Sequence, residues 1–142
     1  MKRFQGTATV LMRFALATGF LSAVASRLSL WGSHSSGWAG FLEYTKSVNS
    51  FVPASIIPLL AIVSTVLETT LAILLLTGYK TRWAALGASV LTLLFAFAMT
   101  YSFGLKEPLD YSVFAFSASA FLLSTMPDYP MSFDQRFKKI PD

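Results

Sequence analysis

The chain has 142 residues, of which 54% are hydrophobic and 13% are charged, and its mean hydropathy is +0.59. Because soluble domains carry about a quarter charged residues, this composition excludes an intrinsically disordered chain and most water-soluble enzymes. The net charge of +4 comes from scattered lysines and arginines, so no basic face for nucleic acid is expected. The lack of cysteine and the single histidine exclude disulfides, iron–sulfur ligation and a multi-histidine metal site.

Four apolar runs predict membrane-spanning helices, at residues 7–27, 56–77, 83–103 and 109–126. Each is close to the ~20 residues that a helix needs to cross a bilayer, and all are longer than the alternating segments of a membrane β-barrel. The links after the second and third runs are short, which favours antiparallel neighbours. The predicted fold is an all-α membrane protein, an antiparallel up-down four-helix transmembrane bundle that forms a single domain over residues 1–142.

Small side chains four residues apart predict where these helices touch, because close approach drives helix association in lipid. The pairs lie in the third and fourth runs: Ala84/Ala88, Ala85/Ser89, Ala115/Ser119 and Ala120/Ser124.

The long connection between the first two runs predicts one further helix. After a polar turn, a mainly apolar stripe recurs every three or four residues, at Trp38, Phe41, Leu42, Thr45, Val48 and Phe51 or Val52. This spacing predicts a short amphipathic helix that lies at the membrane interface.

The distribution of Lys and Arg predicts that both termini, and a tail over residues 127–142, lie in the cytoplasm. The outer side would carry Arg27, Lys46 and Lys106. The inner side would carry the larger set, Lys2, Arg3, Lys80, Arg82, Arg136, Lys138 and Lys139.

A cleaved signal peptide is the competing interpretation of the N-terminus. Lys2 and Arg3 resemble its charged start, and Ala23-Val24-Ala25 has the form of a cleavage site. Arg13 interrupts the apolar run, however, so a retained helix is favoured.

Two charges, Arg13 and Glu68, fall within predicted spans and away from the span ends, where an ionisable side chain is a functional candidate by default. They lie about 12 Å and about 15 Å from the inner ends of their helices, which predicts an intramembrane ion pair. Such a pair is either a structural clasp or a ligand site, in which Arg13 contacts a quinone carbonyl or an acidic headgroup and Glu68 exchanges a proton.

A second polar cluster is expected at the outer face, with Arg27, Asp110 and Tyr111 as its main members. Asp110 lies at the beginning of the fourth run and could cap that helix, whereas Arg27 could extend to lipid headgroups. No pattern of catalytic residues, phosphate-binding loop or metal ligands is present in the sequence.

The stretch 67–85 carries a recognisable pattern, in which Glu68 is followed by a leucine-rich run, the turn Gly78-x-x-Thr81-Arg82 and an alanine-rich helix. With Arg13 in the first helix, and with the segments 25–32 and 108–112, this pattern resembles the DoxX family over about residues 10–126. The resemblance implies a bacterial inner-membrane protein of four helices, related to subunits of quinol oxidase and thiosulfate:quinone oxidoreductase.

Two functions follow as hypotheses. The first is a non-catalytic subunit or scaffold of a membrane complex linked to redox or stress chemistry. The alternative is an oxidoreductase subunit that binds a quinone or another lipophile at Arg13 and Glu68. We expect no covalent or metal-held cofactor, with quinone as the candidate ligand. The expected partners are the lipid bilayer and other membrane or periplasmic subunits, or further copies of the chain. A transporter is disfavoured, because the sequence shows no pair of interrupted helices.

Overall fold

The computed structural model describes residues 2–137, with side chains from 4 to 136, and this part of the chain is helical without strands. Lys138 and Lys139, which enter the charge distribution above, lie outside the described residues. The helices are α1 Lys2–Arg27, α2 Gly37–Val48, α3 Ile57–Thr77, α4 Thr81–Phe103, α5 Lys106–Asp110, α6 Val113–Ser124 and α7 Phe133–Phe137, with a 3₁₀ turn at Gly32–His34.

Three of these helices, α1, α3 and α4, are long and apolar enough to cross a membrane. Their apolar portions contain 21 to 24 residues, or about 32–36 Å of helix at the usual rise per residue. That length matches a hydrocarbon core of about 30 Å. The first three apolar runs are therefore confirmed as long helices, although α1 begins earlier than predicted, at Lys2.

The prediction of one continuous helix over residues 109–126 is wrong. The chain forms the short α5, turns at Tyr111 and Ser112, and only then enters α6, which has 12 residues. Ser112 adopts a left-handed backbone with a φ of +56°, a conformation that ends a right-handed helix. At about 18 Å, α6 is shorter than the hydrocarbon core.

The predicted helix in the long connection is present as α2, and it packs against α3 and α4. Its apolar stripe faces these helices, with Thr45 and Val48 buried. The polar turn before it and the proline-containing turn after it set its limits.

The core forms where α1, α3, α4 and α6 pack together through small side chains. Ala84, Ala85 and Ala88 of α4 are buried as their spacing predicts, and so is Ala120 of α6, whereas Ala115 is exposed. Small residues let helix backbones approach closely, which is the main source of packing energy between helices in lipid. The remaining core side chains are Leu16, Ala17, Phe20, Ala72, Leu75 and Leu123.

Candidate functional site

A buried ion pair joins the C-terminal end of α1 to the middle of α3. Arg27 Nη2 lies 2.9 Å from each carboxylate oxygen of Glu68, and Arg27 Nη1 donates to Thr65 Oγ1 at 3.0 Å. The side chains of Arg27 and Glu68 are only 9% and 2% exposed. Because both charges have left solvent, each depends on the other to offset its desolvation.

The aromatic ring of Phe41 covers this ion pair from α2. The guanidinium carbon of Arg27 lies 3.8 Å from the centre of the ring, which is a cation–π contact. Arg27 also ends α1, where the helix dipole favours a cation. The sequence therefore places a fixed arginine where three helices meet.

A cavity of about 430 Å³ opens beside Arg27, between α2, α3, α4 and the start of α6. Its wall is apolar for most of its extent, and Arg27 is the only charged side chain lining it among the described residues. Representative lining residues, two from each of α2, α3 and α4, are Phe41, Val48, Leu60, Val63, Phe95 and Met99.

Three polar side chains of the wall, those of Thr45, Ser64 and Asn49, direct donors to backbone carbonyls of their own helices. Thr45 Oγ1 donates to Phe41 O, Ser64 Oγ donates to Ala61 O and Asn49 Nδ2 donates to Thr45 O. These bonds leave the guanidinium as the strongest donor that a molecule in the cavity could meet.

Two phenols, Tyr44 and Tyr111, lie in the same wall. Burial raises the pKa of the Tyr44 hydroxyl, and nearby Tyr111 and Glu107 act in the same direction. Tyr44 therefore stays a neutral donor, and its hydroxyl lies 4.0 Å from Met99 Sδ.

The predicted pairing of Arg13 with Glu68 is wrong. Arg13 is fully buried and donates instead to backbone carbonyls, those of Leu75 at 3.0 Å and Leu76 at 3.1 Å near the end of α3. It also donates to Pro130 O at 2.8 Å and Met131 O at 3.3 Å, beyond α6. Carbonyls at a helix C-terminus carry partial negative charge and lack partners within the helix, so they stabilise the cation without a carboxylate hydrogen-bonded to it.

The turn between α3 and α4 binds the segment 128–137, which we call the tail segment. Both carboxylate oxygens of Asp134 accept 2.7 Å hydrogen bonds, one from Lys80 N and one from Thr81 N. The Asp134 backbone N–H donates to Gly78 O at 3.0 Å. Asp134 thus satisfies backbone donors at the start of α4, as a helix cap does, although it lies far away in sequence.

Gly78 allows this close approach. It ends α3 with a φ of +69°, and a Cβ atom at this position would lie 2.3 Å from Ser132 Cβ and 2.6 Å from Arg13 Nη2. The space that a side chain at position 78 would take is therefore filled by the tail segment and by Arg13.

Arg82 acts on the same segment through Tyr129. Burial raises the pKa of the Tyr129 hydroxyl, whereas the adjacent Arg82 lowers it. The hydroxyl donates to Leu123 O at 3.1 Å and Ser124 O at 3.2 Å, at the end of α6. The three predicted turn residues, Gly78, Thr81 and Arg82, thus share one role in holding the tail segment.

The predicted outer cluster is divided by the structure. Arg27 and Tyr111 both line the cavity, but Asp110 is exposed and pairs with Lys106 within α5. Asp110 does not cap α6, whose N-cap residue is Ser112 without a side-chain capping bond.

Sequence reasoning missed Phe41 and Asp134 as partners of buried groups. Phe41 was identified only as part of an apolar stripe, and its contact with Arg27 depends on how α2 folds back. Asp134 begins the short α7, and an acid in the first turn of a helix is too common to signal a remote contact.

The described residues contain no group of three or more His, Asp or Glu side chains placed to hold a metal ion.

With three long apolar helices and a helical fold, the chain is a multi-pass helical membrane protein. The sequence model of the DoxX family matches residues 8–101, a region that contains Arg13, Arg27, Glu68 and the turn after α3. The chain belongs to the DoxX family. Searches of the curated proteins and of the solved structures each found no match.

The ion pair predicts a specific pattern of unfolding energies. Arg27→Leu and Glu68→Leu should each destabilise the fold by about 3–5 kcal/mol, because each leaves a buried charge without its partner. The double variant should recover most of this loss. Denaturant unfolding of the purified protein in detergent measures the coupling.

Arg13 supplies the control for this double-mutant cycle of Arg27 and Glu68. Arg13→Leu combined with Glu68→Leu should be additive within about 0.5 kcal/mol, because the two residues share no partner. Coupling between Arg13 and Glu68, with additivity between Arg27 and Glu68, would contradict the assigned pairs.

Gly78→Ala should displace the tail segment, because its methyl group has no room beside Ser132 and Arg13. Gly32→Ala is the matched control, since Gly32 also has a positive φ but no atom within 4 Å of its Cβ position. The control should lose only about 1–2 kcal/mol from the backbone. Faster proteolysis of the tail in Gly78→Ala alone is expected, and equal cleavage in both variants would refute the close approach.

Proposed function

We propose that this protein binds a lipophilic molecule inside a bacterial inner membrane, in the cavity beside Arg27. The observation that carries this proposal is an apolar cavity of about 430 Å³ whose described lining residues include one charged side chain. Ligand sites are typically clefts of about 300–1,000 Å³ with apolar walls and a few well-placed polar groups. The cavity has this composition.

A quinone is the ligand class that best fits both this cavity and the expected redox role. A quinone carbonyl accepts hydrogen bonds, and Arg27 supplies a donor at the edge of the apolar wall. Phe95 and Tyr44 line the same space and offer aromatic surface to a ring. The proposed site therefore keeps Glu68 but uses Arg27 in place of Arg13.

Within a membrane complex, such a protein would act as a quinone- or lipophile-binding subunit. Exposed apolar side chains on α3 and α4, such as Leu59, Ile73, Leu94 and Phe97, suit contact with lipid chains or with another subunit. A non-catalytic scaffold needs the same exposed surface but no ligand, so ligand binding distinguishes the two functions.

We also propose that α6 acts as the fourth helix of an antiparallel bundle with both termini in the cytoplasm. Contacts between α1 and α3 support this arrangement, because Arg13 reaches Leu75 and Leu76 whereas the later Arg27 reaches Thr65 and Glu68. The basic residues Lys80, Arg82 and Arg136 then lie on the inner side, as the distribution of positive charge favours.

Cysteine labelling tests this orientation, since the chain has no cysteine of its own. Ser33→Cys should react with a membrane-impermeant maleimide in intact spheroplasts. Met131→Cys, at a side chain that is 78% exposed, should react only after the membrane is permeabilised. The reverse pattern, or labelling of both without permeabilisation, would overturn the orientation.

Filling the cavity with a large side chain tests whether a lipophile binds there. Ala98→Phe places a ring in the space that Ala98 lines, whereas Ala15→Phe adds the same ring at an exposed position of α1. Solvent extraction and mass spectrometry should find a lipophile bound near stoichiometrically to the wild type and to Ala15→Phe, but not to Ala98→Phe. A short-chain ubiquinone analogue should raise the thermal unfolding temperature with the same selectivity.

Two results would contradict the proposal. If the wild type carries no lipophile and shows no stabilisation by the quinone analogue, the scaffold function is favoured. If Ala98→Phe retains the lipophile as well as Ala15→Phe does, the molecule binds elsewhere on the protein.

A further inference from the structure

We infer that the cavity selects uncharged lipophiles whose polar end is a hydrogen-bond acceptor, such as a ketone or ester carbonyl, and that it discriminates against carboxylates. This inference rests on the proposed binding function and specifies the chemistry of the ligand. It assigns Glu68 a role in specificity that does not require Glu68 to touch the ligand.

The first step concerns charge balance. Arg27 is the only charged side chain that the structure, over the residues it describes, places in the cavity wall. Its positive charge is already matched by Glu68 at 2.9 Å. An anionic headgroup would therefore bring a second negative charge to a cation that is already paired, in surroundings where an unbalanced charge is costly.

The second step concerns hydrogen bonding. Arg27 donates to Thr65 Oγ1 and to Glu68 Oε1, but a guanidinium has more N–H groups than these two bonds use. The donors of Thr45, Ser64 and Asn49 are engaged with backbone carbonyls. A neutral acceptor next to Arg27 completes the bonding of the guanidinium without changing the net charge of the site.

The third step concerns position. Phe41 stacks on the guanidinium, and Glu68 and Thr65 hold two of its nitrogens, so the remaining N–H groups point in fixed directions. A donor that is already oriented loses little conformational entropy when a ligand binds. Arg27 can thus recognise a small carbonyl head while the apolar wall accommodates the chain.

Photolabelling with a matched pair of probes tests this selectivity. The probes are a long-chain methyl ketone and the fatty carboxylate of equal chain length, each with a diazirine at the same carbon. Both are applied at pH 9 to the full chain reconstituted in lipid nanodiscs. Mass spectrometry then measures labelling at cavity residues such as Val63 and Met99. In the wild type, the ketone should exceed the carboxylate by about tenfold.

Glu68→Gln should reverse this preference, because it removes the balancing charge but keeps an oxygen that can accept from Arg27. The carboxylate should then label the cavity more strongly than the ketone. The wild-type comparison needs no variant, so it decides the inference even if Glu68→Gln does not fold.

The remaining outcomes separate this inference from the proposed function. Stronger labelling by the carboxylate in the wild type, blocked by Ala98→Phe, would overturn the inference and leave the binding function intact. An unchanged ketone preference in folded Glu68→Gln would also overturn it. If neither probe labels the cavity above the level seen in Ala98→Phe, both proposals fall.

Discussion

The burial of Arg27 beside Glu68 determines how three helices meet. Two opposite charges at 2.9 Å offset each other's desolvation only while the end of α1 stays against the middle of α3. Phe41 then covers the guanidinium, which attaches α2 to the same point. The cavity is the space that remains between α2 and helices α3 and α4. Its shape, and the one charged residue among its described lining residues, follow from this ion pair.

Arg13 and Arg27 show two ways to keep an arginine in an apolar protein interior. Arg27 uses a carboxylate, whereas Arg13 uses backbone carbonyls at the end of α3 and beyond α6. The second solution leaves a cation with no carboxylate bound to it, and it works because helix-end carbonyls are unpaired and carry partial negative charge. It also ties the tail segment to α1 and α3, and the Gly78-x-x-Thr81-Arg82 turn contributes to the same contact by holding the chain beyond α6.

Much of the fold was predictable because it follows from local pattern. Length and hydropathy identified α1, α3 and α4, and the spacing of Trp38, Phe41 and Thr45 identified α2. The left-handed turn at Ser112 could not be predicted, because serine seldom adopts this conformation and no glycine marks the position. The Arg13–Glu68 pairing failed for a related reason. Depth along a helix axis does not say which face a residue occupies or how far a flexible arginine extends, and helix-end carbonyls are acceptors that no side-chain pattern reveals.

The spacing of the two arginines explains why α3 receives both. Arg13 and Arg27 are fourteen residues apart, or about four helical turns, so they project from nearly the same face of α1 at two heights. At one height α3 presents the carboxylate of Glu68, and at the other it presents the carbonyls of Leu75 and Leu76. Because helices in lipid associate through close packing and hydrogen bonds and not through a hydrophobic driving force, these two polar attachments help to specify how α1 lies along α3. The surroundings of Arg13 are filled by its own chain, whereas Arg27 lines a cavity. This asymmetry is the reason that the proposed ligand site lies beside Arg27 and α2.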